Sequence, residues 1–129
     1  MFGFSTHAYL HRMDMACSRE CNELLAIVQE IGYPNAYDHF AEGEAPQLPY
    51  LLYLIPANNN FAADNRAYFK VNEVHIELYT DRKDLTAEQR VEAVLDRHGI
   101  FYNRSETWIE SEQLYEVLYY FDMEVKDNA

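Results

Sequence analysis

The sequence predicts a single α+β domain in the order α-β-β-α-β-β, a mostly antiparallel sheet with two helices packed on one face. Three observations lead there. Two stretches repeat apolar residues at spacings of three and four, the signature of an amphipathic helix. Two others alternate apolar and polar residues, as a strand with one covered face does. Each helical stretch is followed by a pair of strand-like segments, which gives an open sheet with helices on one side.

Residues 1–13 show no clear period and read as an N-terminal arm, with Met13 and Met15 as alternative starts. From Met13 to Ile31 the pattern is helical: Cys17, Cys21, Leu24, Val28 and Ile31 form a stripe that Leu25 and Ile27 broaden. Gly32 followed by Pro34 ends it. Residues 35–47 read as a polar connection. The run Leu48-Pro-Tyr-Leu-Leu-Tyr-Leu-Ile55 is apolar throughout between Pro46 and Pro56, which predicts a strand covered on both faces.

Residues 56–67 carry three consecutive asparagines, which favour turns over regular structure. A second strand follows over 68–80, with Val74, Ile76 and Leu78 on one side and Glu73, His75 and Glu77 on the other. The two strands are expected to pair as a hairpin with a long protruding loop. Thr86 and Gln89 fit a capping box. Behind it, Ala87, Val91, Val94 and Leu95 form a buried stripe, and Gly99 fits a C-terminal cap. Residues 101–110 and 114–125 close the sheet, the latter with Tyr115, Val117, Tyr119, Phe121 and Met123 on one face. The domain therefore spans 14–125, and residues 126–129 read as a frayed tail.

Composition narrows the function. At 129 residues and 49% hydrophobic, the chain has the size and apolar content of one packed core. The formal charge of −12, from 22 acidic and 10 basic residues, opposes binding to nucleic acid phosphates. No apolar run approaches the ~20 residues that cross a bilayer. The N-terminus lacks the basic and apolar regions of a signal peptide, so a cytosolic site of synthesis is expected. Eleven tyrosines suit both a β-rich core and a wet protein–protein interface.

The residues that could carry chemistry read better as structure. Cys17 and Cys21, with His11 further back, make half a metal site at most, and zinc takes ligands in recognisable pairs. Both cysteines fall on the apolar stripe, where a free thiol behaves as a small hydrophobe. His39, His75 and His98 could in principle serve a cysteine nucleophile, but nothing flanking either thiol activates it. His75 between Glu73 and Glu77 could be acid–base machinery, yet on an exposed strand that row is more often solvated or meets a partner. With four glycines there is no phosphate-binding loop. No catalytic residue, cofactor or metal is expected.

Two surface features remain. The first is the loop with Asn58, Asn59, Asn60, Phe61, Asp64, Asn65 and Arg66, a candidate assembly interface. The alternative reading is a loop whose Phe61 folds back over the core, and the sequence leaves both open. The second is the row Glu73, His75, Glu77 and Tyr79, a candidate lumen or interface face. The tyrosine-dense stretch Tyr119-Tyr120-Phe121 also reads as surface.

From Tyr37-Asp-His-Phe-Ala-Glu-Gly-Glu-Ala-Pro onward the chain resembles a known family. The likeness is carried by Leu48-Pro-Tyr-Leu-Leu-Tyr-Leu, Asn59-Asn-Phe-Ala-Ala-Asp-Asn and Val74-His-Ile-Glu-Leu-Tyr-Thr-Asp-Arg-Lys-Asp-Leu. Downstream it continues through Gly99-Ile-Phe-Tyr-Asn-Arg-Ser-Glu-Thr-Trp-Ile-Glu-Ser-Glu and Leu114-Tyr-Glu-Val-Leu-Tyr. These segments resemble the tail terminator, or tail completion, neck proteins of long-tailed bacteriophages and prophages. The resemblance implies a structural virion protein assembled in the bacterial host cytoplasm. It would form a ring, usually of six copies, that caps the tail tube, stops its polymerisation and docks to the head. The implied partners are other copies of the chain, the tail tube protein and head-completion or connector proteins, with DNA passing through without specific binding and no membrane contact. Head-completion or connector subunits have similar size and context. A small acidic regulatory module, or a DNA mimic on a basic protein, is the reading from another class.

Overall fold

The computed structural model describes residues 22–58, 61–63, 67–69 and 71–124. Among them are two helices, α1 (Asn22–Ile31) and α2 (Leu85–Arg97), and seven strands. The strands are β1 (Asn35–Tyr37), β2 (Tyr50–Asn58), β3 (Phe61–Ala63), β4 (Ala67–Phe69), β5 (Val71–Thr80), β6 (Asn103–Ile109) and β7 (Leu114–Glu124). The main sheet runs β1-β2-β5-β7-β6, antiparallel throughout except for the parallel β1–β2 pair, and β3–β4 form a separate small ribbon. The fold is α+β, as the sequence predicts. The arm at 1–13, the cysteines and the tail at 126–129 lie outside the described residues.

Alternation of side chains along each strand builds the core on one face of this sheet. Leu51 and Tyr53 of β2, Val74, Ile76 and Leu78 of β5, and Val117, Tyr119, Phe121 and Met123 of β7 all point into it. Leu24, Ile27, Val28 and Ile31 of α1 and Ala87, Val91, Val94 and Leu95 of α2 close over them. The helix stripes are therefore those read from the sequence, with Ile27 at the centre of its stripe. Tyr119 and Phe121 are buried, and of the tyrosine-dense stretch Tyr120 alone is exposed.

Local signals decide where the helices stop. Gly32 follows α1 at φ 89°, a conformation costly for residues with a Cβ, and its amide donates to the Val28 carbonyl at 3.4 Å. The Arg90 guanidinium of α2 covers the same helix end, donating from Nε to the Ile31 carbonyl at 2.6 Å and stacking over the Tyr33 ring at 4.5 Å. Gly99, at φ 68°, ends α2 while the Ile100 amide returns to the Leu95 carbonyl. At its other end α2 is capped by Asp84, whose Oδ1 accepts the Ala87 amide at 3.0 Å. The capping box placed at Thr86 and Gln89 is thus displaced by two residues, because an aspartate upstream is at least as good a cap and lengthens the helix by a turn's start.

Three further expectations change. The polar connection at 35–47 contains β1, a three-residue strand recruited by the edge of β2; its Leu51 amide donates to the Pro34 carbonyl at 2.8 Å. The strand over 48–55 begins at Tyr50 and continues through Pro56 to Asn58, with a register shift between Leu54 and Ala57 that accommodates the proline. Among the described residues, helices cover it on one face. The asparagine-rich loop does connect a β2–β5 hairpin, but it contains regular structure, the β3–β4 ribbon pairing Phe61 with Phe69 and Ala63 with Ala67.

Candidate assembly interface

Among the described residues no helix lies on the second face of the sheet, and register fixes which side chains share it. Strand pairing sets Leu54, His75, Tyr120 and Asn103 in one row, Leu52, Glu77, Leu118 and Ser105 in the next, and Tyr50, Tyr79, Glu116 and Thr107 in a third. Glu73 and Asp122 form a shorter row beyond them. Leucines and tyrosines thus alternate with carboxylates across β2, β5 and β7, and β6 adds Asn103, Ser105 and Thr107. Most of these side chains are half-buried, and Tyr120 stands 37% exposed. At one end the 38–49 segment reaches over the face, where Phe40 meets the Tyr50 ring edge-on at 5.1 Å and Tyr50 lies 5.4 Å from Tyr79.

The row Glu73, His75, Glu77 and Tyr79 lies on this face as the alternation predicts, but it divides into two unconnected pairs. His75 Nε2 lies 3.0 Å from Glu73 Oε2, and its ring sits 6.1 Å from that of Tyr120. Glu77 is engaged elsewhere: the Tyr79 hydroxyl lies 2.9 Å from Glu77 Oε1 and 2.9 Å from Glu116 Oε2 across the β5–β7 pair. The imidazole is therefore not bracketed by two carboxylates. Burial raises the Glu77 carboxyl above its ordinary value; the Tyr79 bond opposes the rise and the Glu116 charge adds to it. Burial and the same two carboxylates hold the Tyr79 phenol far above its ordinary range.

Of the loop candidates, Asn58 ends β2 and is exposed, and Phe61 lies in β3. Asn59, Asn60, Asp64, Asn65 and Arg66 fall outside the described residues. Glu116 is the residue of this face that periodicity along β5 could not reveal. It sits opposite Tyr79 on β7, and only the strand register supplies that neighbour.

The helix-covered side carries a second charged cluster that sequence reading missed. Glu88, on the inner side of α2, is 2% exposed. Lys83 Nζ lies 2.9 Å from its Oε2, and Arg104 of β6 pairs with its Oε1. Lys83 and Arg104 also meet Glu106 at 3.0 and 3.2 Å, and Glu92 accepts from Tyr119 at 2.9 Å. This network pins α2 to the outermost strand. A glutamate at the fourth helical position resembles an ordinary exposed residue, so nothing local announces its burial.

Among the described residues, no group of three His, Cys, Asp or Glu side chains is placed to hold a metal ion, and no helix is long and apolar enough to cross a membrane. No protein-family model matches the chain. No curated protein shows significant sequence similarity to it. Among solved structures, it is similar to a chain described as "Virion of native gene transfer agent (GTA) particle", at a TM-score of 0.48 and 14% identity, over 96% of this chain and 99% of that one. A likeness at that level assigns no function.

Proposed function

We propose that the chain is a structural virion protein of the phage neck, forming a ring that caps the tail tube, ends its polymerisation and docks to the head. The observation that carries this reading is the composition of the second sheet face, on which no helix lies among the described residues. Rows of Leu52, Leu54, Leu118 and Tyr120 interleaved with Glu77 and Glu116 are the composition of a protein contact, apolar area with a few fixed polar groups. That mixture favours contact between subunits over a water-filled lumen, and it narrows the two roles expected for the Glu73–Tyr79 row.

The sequence resemblance to tail terminator proteins supports the same reading, as does the helix–strand–strand–helix–strand–strand order that it implies. A closed ring needs one patch meeting a different patch on the neighbour. The sheet face and the β2–β5 hairpin tip are two such patches at different places on the domain. The charge of −12 leaves the ring surface repellent to DNA in transit.

The test is elongation of purified tail tube protein in the presence of this chain. Tubes that stop growing at a stoichiometric ratio support the proposal. Unaltered elongation together with binding to head–connector particles would move the protein to the head side of the neck, and binding to neither would refute a neck role.

A further inference from the structure

The geometry points to a second self-contact, separate from the proposed ring patches: two copies joined edge to edge through β6, as one sheet continuing across a two-fold axis at Ser105. β6 ends the main sheet, and its outer backbone row faces no strand among the described residues. The usual guards of such an edge are proline, a bulge, charged side chains (inward-pointing ones included) or a covering helix or loop. β6 has no proline, and its pairing with β7 runs without a register shift over all seven residues. Its two charges, Arg104 and Glu106, are drawn onto the helix side by Glu88 and Lys83. Among the described residues the edge therefore has no pairing strand, no proline and no bulge, and its one guard is the inward-held pair Arg104 and Glu106.

The sequence along this edge is complementary to itself when antiparallel. With Ser105 opposite its own copy, Arg104 faces Glu106, Asn103 faces Thr107, Tyr102 faces Trp108 and Phe101 faces Ile109, each pair occurring twice. Opposite charges, polar side chains and aromatic or apolar side chains all meet their own kind of partner. Paired residues share parity, so each also lies on the same sheet face as its partner. This register covers the two most exposed aromatic side chains of the described residues, Phe101 at 80% and Trp108 at 43%. A register centred on Glu106 would instead set Glu106 against Glu106, like charges directly opposed.

The contact is tested by site-directed cross-linking. In a Cys17→Ala/Cys21→Ala background, Ser105→Cys is expected to form a symmetric disulfide under mild oxidation, located by peptide mapping. Ser111→Cys, in the β6–β7 turn, is expected to remain uncross-linked. Sedimentation of the unmodified chain over a concentration series should show self-association, weakened by about tenfold in Phe101→Ser, whose side chain lies mostly in solvent and whose loss leaves the fold intact. A chain that remains monomeric throughout, or an assembly in which residue 105 fails to cross-link to its copy, overturns the inference. Failure of the tube-elongation assay alone does not bear on it.

Discussion

Tyr79 reaches across the β5–β7 pair to Glu116, its hydroxyl 2.9 Å from Oε2, while the same oxygen lies 2.9 Å from Glu77 on its own strand. One phenolic proton serves two carboxyl oxygens, so it can satisfy only one at a time. The second contact is a good one only when a carboxyl of the pair is itself protonated. That arrangement joins the charge state of the sheet face to its geometry.

A stability consequence follows for Glu77. Its folded value is raised above the ordinary 4.5, so the folded state binds the proton more tightly than the unfolded chain does. The stabilisation is full below the ordinary value and is lost as pH rises through the raised one. Glu77→Gln should therefore raise the melting temperature by a few degrees at neutral pH, and the gain should vanish as pH falls below about 4. Thermal denaturation of both proteins across pH 3–8 checks it (a range set by the carboxylate values); a gain that grows toward acid pH would contradict the assignment.

Glu88 shows the opposite economy of charge, a buried carboxylate held by two cations. Arg104→Met leaves it with Lys83 alone and should destabilise the fold by about 2–3 kcal/mol in urea unfolding, below the full penalty of an unpaired buried ion. Adding Glu88→Gln should recover part of that loss. Additive losses in the double variant would show that the two residues do not act as a pair.

The cap of α2 separates two readings of one sequence. Asp84→Ala should cost about 1 kcal/mol, and Thr86→Ala should fall within about 0.5 kcal/mol of the parent. The reverse order in denaturant midpoints would place the cap at Thr86 after all.

Much of the domain was legible because its strongest patterns are local. The α2 stripe, the Val74–Ile76–Leu78 alternation and Val117, Tyr119, Phe121 and Met123 of β7 need only their own spacing to be read, and each lies in the core where that spacing sets it, with Tyr115 partly buried against it. What escaped depends on partners distant in sequence. β1 is three residues long and exists because β2 offers an edge to pair with. The continuous apolarity of β2 reads as burial on both sides; Leu52 and Leu54 lie on the second sheet face, half-buried, where no helix of the described residues packs. Glu88 is buried by Lys83 and by Arg104, sixteen residues away, and Glu116 belongs to the Glu77–Tyr79 pair through register alone.

The central claim, that the sheet face carrying Leu52, Leu54, Leu118 and Tyr120 is an assembly surface of a neck ring, is tested most directly by negative-stain microscopy of the protein mixed with tail tubes, beside Leu118→Glu. Leu118 lies on that face, half-buried and away from the core cluster, so the substitution should leave the fold intact, as circular dichroism would verify. The account predicts closed rings or caps at tube ends with the parent chain and bare tube ends with Leu118→Glu. Caps formed equally well by both would remove the sheet face from the assembly, and bare ends with the parent chain would contradict the account outright.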